Sequence, residues 1–180
     1  MRRVRRVSAR LGRSISVAIE SLEPRLALAT MQYFDEFAHL VTVTTTKGSD
    51  AQLQASLSFT PVALLASHLD SITLTDPAFS GTGLTISAKD GKGLPASVRI
   101  GSVTSPFPLG AVDIAGDVDR AEGKGTGAAG SKATAVQSLH VGSFGLASTA
   151  TSEVNGAIVS LKIDGQVAHS TIRAASIGTL

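Results

Sequence analysis

Four acids lie close together in the middle of the chain: Asp113, Asp117, Asp119 and Glu122. Oxygen ligands grouped on a turn suit Ca²⁺, so these residues are the candidate metal site. Their spacing follows neither the twelve-residue calcium loop nor the glycine-rich nonapeptide repeat. The competing reading is a solvated acidic loop. The four histidines, His39, His68, His140 and His169, are scattered and none pairs at metal-ligand spacing. No serine sits in a G-x-S-x-G elbow, and a chain without cysteine has no thiol nucleophile, disulfide or iron–sulfur cluster.

Residues 125–130 spell G-x-G-x-x-G. A dinucleotide site needs a strand before the glycines, a helix directly after them and an acid about 20 residues further on. Residues 119–124 separate the glycines from the nearest strand pattern, and Gly130-Ser131-Lys132 reverses the order a phosphate loop requires. Residues 122–132 therefore read as a Gly/Ala/Ser-rich loop. No cofactor is expected, and calcium at the acidic cluster is the single candidate. Arg99, Asp113 and Lys162 occupy equivalent outward positions in separate strand patterns and would align on one face if those strands stack. Such a row is what a carbohydrate-binding or carbohydrate-cleaving protein would use, although aromatics make up just 4% of the chain.

The elements that position these residues are short β segments. The composition (43% hydrophobic, 17% charged, 18 Gly among 180 residues) excludes a charge-driven disordered chain and suits many strands with tight turns. A pattern of aliphatic, any residue, aliphatic, then Gly or Asp recurs. It appears at Ile72-Thr73-Leu74, Leu84-Thr85-Ile86, Val98-Arg99-Ile100-Gly101, Val112-Asp113-Ile114-Ala115-Gly116, Leu139-His140-Val141-Gly142 and Leu161-Lys162-Ile163-Asp164-Gly165, with a partial copy at Ile177-Gly178. The first aliphatics are 12, 14, 14, 27 and 22 residues apart. Two aliphatics at i and i+2 share one face of a strand, and the residue between them faces out. Gly after the pair permits a corner that a Cβ would obstruct. One such strand buries too little to stand alone, whereas stacked coils share a continuous core.

The expected fold is accordingly all-β, a short irregular right-handed parallel β-helix. The alternative is an antiparallel β-sandwich, since turns every 8–14 residues suit it too. The organisation read from the chain is a basic N-terminal segment (1–30), a transition or capping region (31–70) and solenoid-like repeats (71–180). Within 31–70, Tyr33, Phe34, Phe37 and Leu40 suit a brief helix or a hydrophobic lid. Residues 47–50 read as a turn, and 62–69 are compatible with a helical turn after Pro61. The sequence stops inside the last repeat copy, so the expectation is an incomplete stack whose open end can pair with another chain end to end.

The first thirty residues carry seven of the 16 basic residues and two of the 14 acids, a net of +5 against −3 for the remainder. The positive balance belongs to one end, so nucleic-acid binding by the body is not expected. Leu11, Ile15, Ala18, Ile19 and Leu22 recur at helical spacing, and Pro24 ends that pattern. A basic amphipathic helix of this kind suits an anionic membrane surface, the basis for a membrane-peripheral alternative. The tract Leu22-Glu23-Pro24-Arg25-Leu26-Ala27-Leu28-Ala29 behind the Arg-rich start resembles the LEPR-XLL domain of planctomycete-type exported and surface proteins. Leu22, Glu23, Pro24 and Arg25 match its core, while Ala27 stands where the first of the two later leucines is expected. The resemblance covers about thirty residues. It implies export through the N-terminus to a secreted or cell-surface location, with cell-envelope or extracellular-matrix components as partners. It implies no chemistry. The repeats loosely resemble the β-helical regions of large bacterial surface proteins. The function expected from all this is a non-catalytic structural or adhesive surface segment.

Overall fold

The computed structural model describes residues 28–63, 65–125, 132–146 and 151–180. The LEPR tetrapeptide (Leu22, Glu23, Pro24, Arg25), the amphipathic pattern before it and five of the six residues of G-x-G-x-x-G lie outside the described residues.

The described chain is all-β apart from one short helix and one 3₁₀ turn. In order it runs β1 (Ala29–Phe34), β2 (Leu40–Thr45), α1 (Asp50–Ala55), β3 (Leu57–Ala63), β4 (Ala66–Thr73), β5 (Leu84–Lys89), β6 (Pro95–Ala96), β7 (Val98–Ser105), β8 (Leu109–Lys124), β9 (Thr134–Phe144), β10 (Thr151–Ile163) and β11 (Thr171–Thr179). These strands form one curled, mixed sheet. The early connections β1–β2, β2–β5, β3–β4 and β5–β6 are antiparallel. The ladders β4–β7, β5–β8, β7–β8, β8–β9, β8–β10, β9–β10 and β10–β11 are parallel. A purely antiparallel sandwich is therefore excluded.

Strand β8 organises the sheet. Its first half pairs with β5 and β9, and its second half with β7, with the end of β9 and with β10. Two apolar ladders result. In the first, Leu84, Val112, Leu139 and Leu161 are successive register partners, followed by Ile86, Ile114, Val141 and Ile163. In the second, Leu69, Ile100, Val118 and Phe144 are partners. All of these but the half-buried Ile163 are buried in a single core. Every full copy of the repeat thus sits on a strand, but the copies divide between two ladders. Ile72 and Val98 belong to the second, and the others to the first.

Between the two halves of β8 the backbone passes very close to its neighbours. A Cβ on Gly116 would overlap the Val98 carbonyl oxygen, one on Gly142 would meet the Gly116 carbonyl at 3.0 Å, and one on Gly165 would meet the Gly142 carbonyl at 2.7 Å. The glycine that follows three of the repeats is thus required by the approach of one backbone to the next.

Residues 31–70 differ from their sequence reading. Tyr33 and Phe34 lie in β1 rather than in a helix. The chain then reverses around buried Asp35, whose Oδ1 accepts from the amides of Phe37 (2.9 Å) and His39 (2.8 Å). Residues 62–69 belong to the β3–β4 hairpin, where cross-strand pairing overrides the local helical pattern. The helix that does form, α1, begins at a capping box. The Ser49 hydroxyl accepts from the Gln52 amide, and Gln52 Oε1 accepts from the Ser49 amide at 2.9 Å. Its one buried residue, Leu53, anchors it to the core.

Candidate functional site

The four acids of the sequence cluster are not gathered into one group. All four acids lie on the extended strand β8, not on a turn. A strand rises about 3.3 Å per residue, which spreads Asp113 and Glu122 over tens of ångströms. Asp113 is exposed and paired with His140, Asp117 is buried, Asp119 is half-buried, and Glu122 lies 3.5 Å from Arg120. Among the described residues no group of three or more His, Asp or Glu side chains is placed to hold a metal ion. Residues 122–124 likewise belong to β8, so the expected loop begins only at Gly125.

The stacking does collect charged side chains on its outer face. Asp113, His140 and Lys162 are successive register partners on β8, β9 and β10, the first two between buried aliphatics and Lys162 between buried Leu161 and half-buried Ile163. The His140 ring bridges two carboxylates. Its Nδ1 is 3.1 Å from Asp113 Oδ1, and its Nε2 is 2.7 Å from Asp164 Oδ2. Lys162 Nζ closes the group at 2.8 Å from Asp164 Oδ1 and 3.3 Å from His140 Nε2. The Lys162 hydrogen bond and then the His140 hydrogen bond hold the Asp164 carboxyl below its ordinary value. Asp113, Lys162 and Asp164 are exposed and His140 is partly so, so water screens these pairs strongly. The arrangement orders a surface row but has no buried reactive group.

Arg99, expected in the same row, lies elsewhere. Its register partner is Asp117, on the second half of β8. These two face a cleft of about 470 Å³, also lined by Phe37, His39, Ser97 and Leu146. Asp117 is 6% exposed, and its two oxygens share the Leu146 amide at 3.3 and 3.4 Å. His39 is held by Asp35, with Nδ1 to Oδ2 at 3.1 Å. No sequence spacing signalled this grouping. Phe37 and His39 come from the β1–β2 turn, some sixty residues before β7 and β8.

Beneath the sheet, the Tyr33 hydroxyl is buried without a hydrogen-bond partner among the described residues, and the Tyr33 ring meets Phe59 edge-on at 4.8 Å. Burial, reinforced by the nearby Asp35 and Glu36 charges, pushes its phenol far above the ordinary value.

No protein-family model matches this chain, and no curated protein or solved structure shows significant similarity to it.

Proposed function

We propose that this chain is a non-catalytic, exported structural or adhesive segment. In this reading its body is a short right-handed parallel β-helix that presents intervening loops at the cell surface. The observation that carries the reading is the parallel ladder Leu84, Val112, Leu139 and Leu161. Register-matched positions recur after 28, 27 and 22 residues, and between them the chain passes through the second ladder and returns in the same direction. Each pass adds buried aliphatics to a shared core, and intervening segments can vary without disturbing it. The charged row of Asp113, His140 and Lys162 suits a wet outer wall. Export rests on the Arg-rich start and on Leu22, Glu23, Pro24 and Arg25. The partners proposed are cell-envelope or matrix components.

The test is the full chain carrying an epitope in the 126–131 segment, expressed in intact bacterial cells treated with a protease too large to enter. Loss of the epitope while a cytoplasmic marker survives is expected, as is protection of the epitope when residues 1–27 are deleted. Protection of the full chain would overturn the reading.

A further inference from the structure

We propose that the cleft over Asp117 is a binding site for a neutral saccharide unit, with Asp117 and Arg99 as its paired acceptor and donor. The argument begins with unused hydrogen-bonding capacity. An ionised carboxylate offers about four acceptor positions. Asp117 is 94% buried, yet among the described residues its side chain receives one backbone amide, shared between its oxygens at 3.3 and 3.4 Å. Buried polar groups are normally better satisfied than this, and here the carboxylate faces an open cleft. On the neighbouring strand Arg99 projects outward between buried Val98 and Ile100 and forms no ion pair among the described residues. One wall of the cleft therefore carries an unfilled acceptor beside an unfilled donor.

Charge then selects the ligand. A simple cation would satisfy Asp117 but meet the Arg99 guanidinium, and a simple anion would satisfy Arg99 but meet Asp117. Neighbouring sugar hydroxyls each donate and accept, so a diol satisfies both groups without net charge. The Ser97 hydroxyl extends the same polar wall. Phe37 is 62% exposed and Leu146 46% exposed at this cleft, and they supply apolar surface for the C–H face of a pyranose ring. The Phe37 ring lies 5.8 Å from the His39 ring, and the Asp35 contacts to the Phe37 amide and to His39 hold the turn that carries both. A volume of about 470 Å³ falls within the usual range of small-molecule sites. This inference does not depend on export or on the β-helix reading.

The experiment is nuclear magnetic resonance titration of the isotope-labelled full chain with three probes, glucose, N-acetylglucosamine and cellobiose, each at millimolar concentrations. Glycine and methylammonium serve as zwitterionic and cationic controls. Saturable shifts of the amides around Ser97, Arg99, Asp117 and Leu146 are expected with at least one sugar. Asp117→Asn and Arg99→Gln should each raise its Kd about tenfold or more, since a hydrogen bond to a charged group is lost. Arg99 is exposed, so Arg99→Gln keeps the comparison valid if Asp117→Asn fails to fold. The proposal is overturned by the absence of saturable shifts with all three sugars. It is equally overturned by unchanged affinity in a folded variant, or by saturation with a control alone.

Discussion

Replacing Gly116 by Ala tests the close approach on which the two-ladder arrangement depends. The added methyl would overlap the Val98 carbonyl oxygen and lie 2.6 Å from the Val98 nitrogen. Both atoms belong to the backbone of β7, fixed by the pairing of Val98 with Gly116 and of Ile100 with Val118. No side chain can rotate away, so β7 and β8 must separate locally. Overpacking of this kind costs about 1–3 kcal/mol, and each ladder hydrogen bond lost adds about 1 kcal/mol. The expected total is roughly 3 kcal/mol or more, a fall in Tm of about 6–12 °C for a chain of this size. Gly91→Ala is the matched control, because a Cβ there meets nothing within 4 Å. That variant should be neutral or slightly stabilising, by up to about 1 kcal/mol, through its effect on the unfolded chain. Urea and thermal unfolding of the two full-length variants read the difference. If Gly116→Ala lies within about 1 kcal/mol of the parent, or matches Gly91→Ala, the close approach is not a determinant of this fold.

Three further outcomes are expected. Tyr33→Phe removes a buried hydroxyl without a partner among the described residues and should leave stability unchanged or raise it by up to about 1 kcal/mol at neutral pH. Because the folded phenol titrates above its unfolded value, its contribution is complete below about pH 10 and is lost as pH rises beyond it, and unfolding curves of Tyr33→Phe should lack that alkaline loss. Asp164 has the opposite sign. Its folded value is depressed, so its contribution is present above about pH 4 and is lost as pH falls through the folded value; Lys162→Ala should return the Asp164 titration, followed by carboxyl resonances, toward 3.8. Leu139→Ala, at a 4% exposed ladder position, should cost about 2–5 kcal/mol in denaturant unfolding, while Gln137→Ala on the exposed face of the same strand should stay within about 0.5 kcal/mol.

The strand-borne repeats were legible because period-two alternation marks a face directly. The glycine corners at Gly116, Gly142 and Gly165 were legible because the residue after an aliphatic pair is where the backbones converge. The unequal spacing was misleading for a physical reason. The 27-residue interval from Val112 to Leu139 holds the whole second half of β8, whose inward residues are Gly116, Val118, Ala121 and Gly123. Small residues and a slip in alternation after Val118 hide that segment from an aliphatic pattern, so it reads as a loop. The acidic cluster failed for a related reason. Acids close in sequence suggest chelation on a turn, but on a strand they are drawn apart, and the ion-pair partner of Asp113, His140, comes from β9 instead. The Asp117 cleft was illegible throughout, because a turn about eighty residues away that lines the same cleft as a carboxylate leaves no local signature.

The free edges of the sheet differ in how they meet an added strand. The strand order β1-β2-β5-β8-β7-β4-β3 terminates in β1 and β3, each paired on one side only among the described residues. Asp50 Oδ1 accepts from the Thr30 amide at 2.8 Å, so α1 occupies a donor that another strand would need. Pro61 within β3 has no amide hydrogen, and Tyr33 and Phe59 pack together behind these strands. These features oppose further pairing at those edges. At a third edge β11 pairs with β10 alone among the described residues. It contains no proline, and its half-buried Ile172 and Ala174 and its more exposed Ile177 continue the buried positions of Ser152, Val154 and Ile158 on β10. The free edge of β11 thus carries fewer features that oppose an added strand than β1 and β3 do. Association between identical copies through these sheets would then join β11 to β11 and stop at a pair, because an open filament needs a receptive edge at both ends.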